Sequence, residues 1–390
     1  VTTIAWQPDV TDALQAALQP GAEVVLPYDP RPYVVARTIR MYTRSTLRLC
    51  PGVTLEAKRG QFLDPGGYDA PNPLLSIVGA QRVRVVGGPG SRLLMHREDY
   101  TEPPYAKSEY RHGVFIAGSE DVEFTGPTIA DTGGDGLYVT SRPSAIGGRI
   151  ASVNVRVADV TAESCYRNAF CIASVENLRM ERCRAIGTQG VAPQAGFLIE
   201  PNNEDDWLAG VRLIDCAAHS NSGAGIMVQL IKLWHLSREI SVSVENPLVT
   251  GSGAKQPAIR CLMGRDRNAP GVVTFDGLVC RDFTTPGLAV EWSMQNNTFL
   301  RFKDCTWDHC DSDNDASAWH LKLTNVGNPA GRKPVTFENC RLFGVSTTRP
   351  WCKVEGDGLF PDVLGYVTCM DGPDPALSVA ALPNLAAHRA

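Results

Sequence analysis

Long apolar runs are missing from this 390-residue chain. No stretch approaches about 18 uninterrupted apolar residues, which excludes a helix built to span a bilayer. A basic excess is missing too. With 37 Lys and Arg against 42 Asp and Glu the net charge is −5, the wrong balance for wrapping a nucleic acid. The chain opens VTTIAWQPDV, with neither a basic n-region nor an apolar h-region. Localisation stays open at this stage, with export to the periplasm or medium expected if a signal peptide has been removed. There is no Cys-x-x-Cys pair, and the seven histidines never approach the cysteines in a zinc-like spacing. Disorder is excluded by 43% hydrophobic and only 20% charged residues. Amphipathic helices between strands are also lacking, which excludes doubly wound and (β/α)8 folds.

What is present is a repeat. A short strand opening on a small residue recurs as GVFIAG (Gly113), GLYVTS (Gly136), AFCIAS (Ala169), GFLIEP (Gly196) and GIMVQL (Gly225). It continues as AIRCLM (Ala258), GLAVEW (Gly287), AWHLKL (Ala318) and, less well, PWCKVE (Pro350). Between these lies a second alternating strand, such as VEFTGPTI, VNVRVADV, VRLIDC and VTFENC. Such units bury their apolar side only by stacking on one another. The expected fold is all-β, a single right-handed parallel β-helix of about ten coils. Residues 1–22 form an N-terminal segment whose amphipathic helix (TDALQAALQ, capped by Thr11 or Asp12) covers the first coil. Residues 23–372 form the β-helix and 373–390 a C-terminal tail. Seven of the twelve cysteines end similar strands at what reads as one phase, a stacked column of reduced core thiols.

Because the strand period is two, each position has a direction. Val114, Leu137, Phe170, Phe197, Ile226, Ile259, Leu288 and Trp319 read as inward. Phe115, Tyr138, Cys171, Leu198, Met227, Arg260, Ala289 and His320 read as one outward column. Ala117, Thr140, Ala173, Glu200, Gln229, Leu262, Glu291 and Lys322 read as the other. A face mixing these types reads as a groove for a linear polymer. Glu200 is the candidate acid or nucleophile, beside Gln229 and near Arg260. Partial enclosure between Ala173 and Gln229 would raise its carboxyl pKa. Glycoside hydrolysis needs a second carboxylate, because leaving-group protonation and attack at the anomeric carbon are separate tasks. Glu291, three coils on, is about 14 Å away, so it reads as a substrate-binding residue. Asp135 in TGGDGLY, or Asp205 and Asp206 after Glu200, are the nearer partners. Arg167 and Asn168 in YRNAF, Asn202, Trp234 and Lys322 complete the substrate-binding candidates with Tyr138, Gln229, Arg260 and His320. Trp207 and Trp292 suit sugar stacking or turn packing equally. Asp311-Ser-Asp313-Asn-Asp315 lacks the glycine and glutamate of a calcium loop and reads as a polar turn.

The strings DALQAAL, EVVLP, TIRM and STLRLCPGVTLEA resemble the first coils of the pectate-lyase-like superfamily, including glycoside hydrolase family 28-like proteins. GGDGLYV, SCYRNAFCIASVENLRMERC and GTQGVAPQAGFLIEPNN resemble bacterial right-handed β-helix proteins of that superfamily. The resemblance implies a glycoside hydrolase or polysaccharide lyase, with epimerases and phage depolymerases as relatives. It implies a polysaccharide or oligosaccharide partner, no nucleic acid or membrane, and no cofactor unless a lyase uses Ca2+. Self-association is left open. Polygalacturonases carry GDD where this chain has GGDG with Asp135 alone, and Leu198 stands where related sequences often have an acid. A lyase would draw on Arg260, Lys322, His320 and Tyr138; a non-catalytic glycan-binding β-helix is the third reading.

Overall fold

The computed structural model describes the chain except residues 234–237, 252–255, 264–268, 294–296, 311–319, 327–332, 345–350, 356–362, 371–383 and 390. Apart from the helix Thr11–Ala17 and a 3-10 turn at Asp99–Thr101, the described elements are strands. The fold is a right-handed parallel β-helix. Contacts group the chain into two units, Val1–Ala195 and Gly196–Ala390.

The first unit stacks three parallel ladders. One runs Ile39–Arg40, Leu75–Val78, Val114–Ala117, Leu137–Thr140, Phe170–Ile172, in the register Ile39, Leu75, Val114, Leu137, Phe170. The second includes Glu120–Thr125, Ser152–Ala158 and Val175–Glu181, and the third Thr128–Ala130, Thr161–Glu163 and Arg184–Ile186. The second unit repeats the pattern, with Phe197, Ile226, Ile259 and Leu288 in one register. The inward columns are dry: Val114, Leu137, Phe170, Phe197, Ile259 and Leu288 have no exposed surface.

The small residue that opens these strands has a steric cause. A Cβ on Gly113 would lie 2.6 Å from the Gly136 carbonyl oxygen, and one on Gly136 2.5 Å from that of Ala169. The next coil passes too close for a larger side chain. A second repeat sits at the corners, where left-handed backbone falls on Gly126, Asp159 and Arg182 in the first unit. In the second unit it falls on Asp215, Asn246, Gly277, Asp304 and Asn339. Mostly Asp, Asn and Gly, these are the types that tolerate this region, which explains the recurring IDC, ENP, DGL, KDC and ENC strings.

Three expectations change. Val10, not Thr11 or Asp12, sits at the N-cap and no side chain caps the helix; Asp9 before it accepts from the Thr11 amide at 3.1 Å, while Thr11 Oγ1 accepts from the Ala36 amide at 2.7 Å. Leu14 and Leu18 are fully buried beneath it. The cysteines occupy several columns: Cys305 and Cys340 follow corner residues, whereas Cys280 stacks on Trp307 two positions later. Finally, Leu288 pairs with Leu321 and Ala289 with Lys322, so the AWHLKL strand sits two residues away from the alignment on its small residue. His320 therefore leaves the outward column and Lys322 enters it. Within the segment read as a tail, Leu385–Arg389 forms a strand parallel to Val363–Cys369.

Candidate functional site

In the first unit the outward column runs Arg40, Ser76, Phe115, Tyr138, Cys171. It is not the open face the alternation predicts. Phe115, Tyr138 and Cys171 are only 2%, 3% and 0% exposed: two insertions fold over Phe115 and Tyr138, and Arg167 Nη1 lies 3.8 Å from the Cys171 sulfur. Arg111, itself fully buried, ties those insertions down. Its Nε donates to the Phe62 carbonyl at 2.7 Å, and its Nη2 to those of Leu63 and Ala106 at 2.8 and 2.9 Å. Tyr138 meets Tyr68 hydroxyl to hydroxyl at 3.4 Å. The signal was length: residues 58–74 and 95–109 separate consecutive strands where most connections are far shorter.

A polar column lies two residues before each strand start, at His112, Asp135 and Asn168. Asp135 is fully buried. Its Oδ1 accepts from the Asn168 amide at 3.1 Å and Asn168 Nδ2 at 2.7 Å, and Arg167 Nη1 lies 3.3 Å from Oδ2. Asn168 Oδ1 in turn accepts from the Ala195 amide at 3.0 Å. Sequence reading proposed Asp135 as a catalytic carboxylate and Arg167 and Asn168 as sugar ligands. In the structure these three bind one another, and Asp135 has no solvent-facing surface. His112 went unnoticed. Its Nδ1 accepts from the Asp135 amide at 3.0 Å, its ring stacks on Phe115 at 6.0 Å, and Nε2 has no partner among the described residues.

Burial holds the His112 pKa down to about 4, against an opposing pull from Asp135. Unfolding restores the ordinary value of about 6.5. The unfolded chain thus binds the extra proton between these values. Stability is complete above about pH 6.5 and declines as pH falls through about 4, by about 3 kcal/mol. Chemical denaturation from pH 7 to pH 4 should show this slope, and His112→Gln should flatten it; parallel profiles would show that His112 is not its source.

In the second unit Glu200 follows the strand Phe197–Ile199 and is 8% exposed. Gln229 Nε2 donates to its Oε1 at 2.6 Å, the neighbour expected from coil stacking. Asn202 Nδ2 donates to the Glu200 carbonyl at 3.0 Å. Asp206 Oδ2 accepts the amides of Asn202 and Asn203, each at 2.8 Å, and so closes the loop as a turn staple. Asp205 is exposed on that loop. Arg260 turns to Glu291, with Nε at 3.0 Å and Nη2 at 2.9 Å. Lys322 reaches Glu355 at 3.0 Å and Lys353 the same carboxylate at 2.7 Å, which holds the Glu355 pKa down to about 2. His320 is 4% exposed, its Nε2 3.3 Å from the Gly344 carbonyl oxygen. Trp207 packs under Arg238 at 4.8 Å. Trp234, the 311–315 turn and the Trp292 side chain lie outside the described residues. Asp135 belongs to the first unit and Glu200 to the second.

Among the described residues no group of three or more His, Cys, Asp or Glu is placed to hold a metal, and no helix is long and apolar enough to cross a membrane. A family model for the right-handed β-helix region matches residues 107–254. No curated protein matches the chain in sequence. Several solved structures match in fold. The catalytic domain of a glycoside hydrolase family 87 α-1,3-glucanase in complex with nigerose has a TM-score of 0.55 at 11% identity, over 99% of this chain and 67% of that one. A 1,3-α-1,4-β-D-galactose-4-sulfate-3,6-anhydro-D-galactose-2-sulfate 4 galactohydrolase gives 0.57 at 10%, over 89% and 86%. A hyperthermoactive exopolygalacturonase from Thermotoga maritima gives 0.56 at 11%, over 98% and 88%. In fold, the chain is a right-handed parallel β-helix.

Proposed function

We propose that the protein is a carbohydrate-active enzyme that hydrolyses glycosidic bonds of a polysaccharide or oligosaccharide, with Glu200 as its general acid. The observation that carries this reading is the near-buried Glu200 carboxylate gripped by the neutral amide of Gln229 at 2.6 Å. That hydrogen bond fixes the carboxyl in one orientation, as a group that must hand a proton to one oxygen requires. The fold likeness to three glycosidases supports the substrate class. Asp205, exposed on the same loop, is assigned as the second carboxylate, and Asp135 as a positioning residue within the first unit. Hydrolysis needs no metal in this scheme.

The lyase reading draws less support. Of its four residues, Arg260 and Lys322 are engaged by Glu291 and Glu355, and Tyr138 and His320 are buried. The test is product chemistry on a panel of oligosaccharides. Hydrolysis yields new reducing ends without the ultraviolet absorbance of an unsaturated sugar. Products that carry that absorbance would establish elimination, and binding with no cleavage over long incubation would establish a glycan-binding β-helix.

A further inference from the structure

We propose that Cys305 and Cys340 form a redox-sensitive site in the second unit, closing to a disulfide that staples two neighbouring coils when a small-molecule disulfide is present. The inference is independent of the catalytic reading. Both cysteines follow a corner residue with left-handed backbone, Asp304 at φ 53° and Asn339 at φ 50°, and the Asn339 side-chain amide donates to the Asp304 carboxylate. The register is fixed on both sides of that corner. Lys303 pairs with Glu338 before it and Thr306 with Arg341 after it, while the Arg341 amide donates to the Cys305 carbonyl at 2.8 Å. Cys305 and Cys340 therefore stand opposite each other, at the spacing of about 4.8 Å between neighbouring strands. That lies within the Cα separations of about 4.4–6.8 Å that a disulfide bridges, so closure asks for side-chain rotation and not for movement of the coils.

The two sulfurs also share an orientation. Cys305 Sγ lies 3.3 Å from the Lys303 carbonyl oxygen and 3.5 Å from that of Phe275, and Cys340 Sγ lies 3.5 Å from those of Glu338 and Phe302. Between themselves they hydrogen-bond. That bond from Cys305 draws the Cys340 thiol below its ordinary pKa, whereas burial pushes Cys305 up. Cys340 is thus the nucleophile of the pair. Its thiolate attacks one sulfur of a disulfide such as oxidised glutathione, forming a mixed disulfide and releasing one glutathione thiolate. The Cys305 sulfur, giving up its proton, then attacks the Cys340 sulfur and expels the second glutathione. Two cysteine thiols are oxidised, one glutathione disulfide is reduced to two thiols, and the two protons pass to them. Other cysteines of the second unit have no such neighbour: Cys261 stands between Val228 and Val290, Cys280 between Val249 and Trp307, and Cys352 beside Leu321. Both Cys305 and Cys340 are fully buried, so the exchange proceeds through transient opening of the coil.

The test is a non-reducing peptide map of the full chain after incubation with oxidised glutathione, with and without mild denaturant. A peptide pair linked through Cys305 and Cys340 should dominate the cross-linked products, form faster in the denaturant, and disappear on treatment with dithiothreitol. The oxidised chain should melt at least about 3 °C above the reduced one, because the bridge restrains residues 306–339 in the unfolded state. Cys305→Ala should instead retain glutathione on Cys340 and show no such rise. The map of the unmodified chain needs no variant, so it decides the matter even where Cys305→Ala does not fold. A map without the link between Cys305 and Cys340, links spread evenly among several cysteine pairs, or a melting temperature unchanged or lowered by the link would overturn the proposal.

Discussion

Glu200→Gln lowers turnover by roughly two orders of magnitude or more and leaves the protein folded. The exchange keeps the shape of the side chain. It also keeps an acceptor for the Gln229 amide, which now donates at 2.6 Å, and Asn202 still finds the Glu200 main-chain carbonyl. The ionisable proton and the carboxylate charge are lost. Turnover is measured on the oligosaccharide that the unmodified chain cleaves best, with circular dichroism as the fold control. Asp205→Asn, made in parallel, should fall by a comparable factor while its exposed side chain leaves stability alone. A Glu200→Gln chain that stays folded and loses less than about tenfold removes Glu200 from the mechanism.

Asp135→Ala acts on stability, with an expected loss of about 3–5 kcal/mol. The carboxylate is fully buried and accepts both the amide and the side chain of Asn168, with the Arg167 guanidinium 3.3 Å away. Alanine strands two donors where water is scarce and takes from Arg167 one of its carboxylates, leaving Glu109 at 3.4 Å. The break also reaches Asn168, whose own Oδ1 holds the Ala195 amide. Asp135→Asn keeps one acceptor and should lose clearly less. Urea denaturation of both variants reads the difference. An alanine variant within about 1 kcal/mol of the parent would show that the network is not what holds this part of the coil.

The ladder around Glu200 was legible because stacking obeys simple arithmetic. Once Phe197, Ile226, Ile259 and Leu288 share a register, Gln229 must stand beside Glu200, and it does. The same arithmetic failed at Ala318, because a small residue was taken as the marker of phase. His320, not Ala318, precedes the strand there. The roof over Phe115 and Tyr138 was illegible for a different reason. Its segments occur once and have no period, and their anchor, Arg111, is held by carbonyl groups that every residue carries. Asp135 falls between the cases. Extending the register two positions upstream from Val114, Leu137 and Phe170 lines up His112, Asp135 and Asn168, a polar column that alternation of apolar residues cannot reveal.

The buried thiols make this protein its own gauge of local opening. Eleven of its twelve cysteines are buried and only Cys50 is partly open. Burial lifts several of them far from the reactive thiolate form, among them Cys261, Cys280 and Cys352. An aqueous thiol reagent should therefore count about one site on the intact protein, and gain further sites only as coils come apart. Since the thiols are distributed from Cys165 to Cys369, the order in which they become labelled under mild denaturant would chart, coil by coil, where unravelling begins.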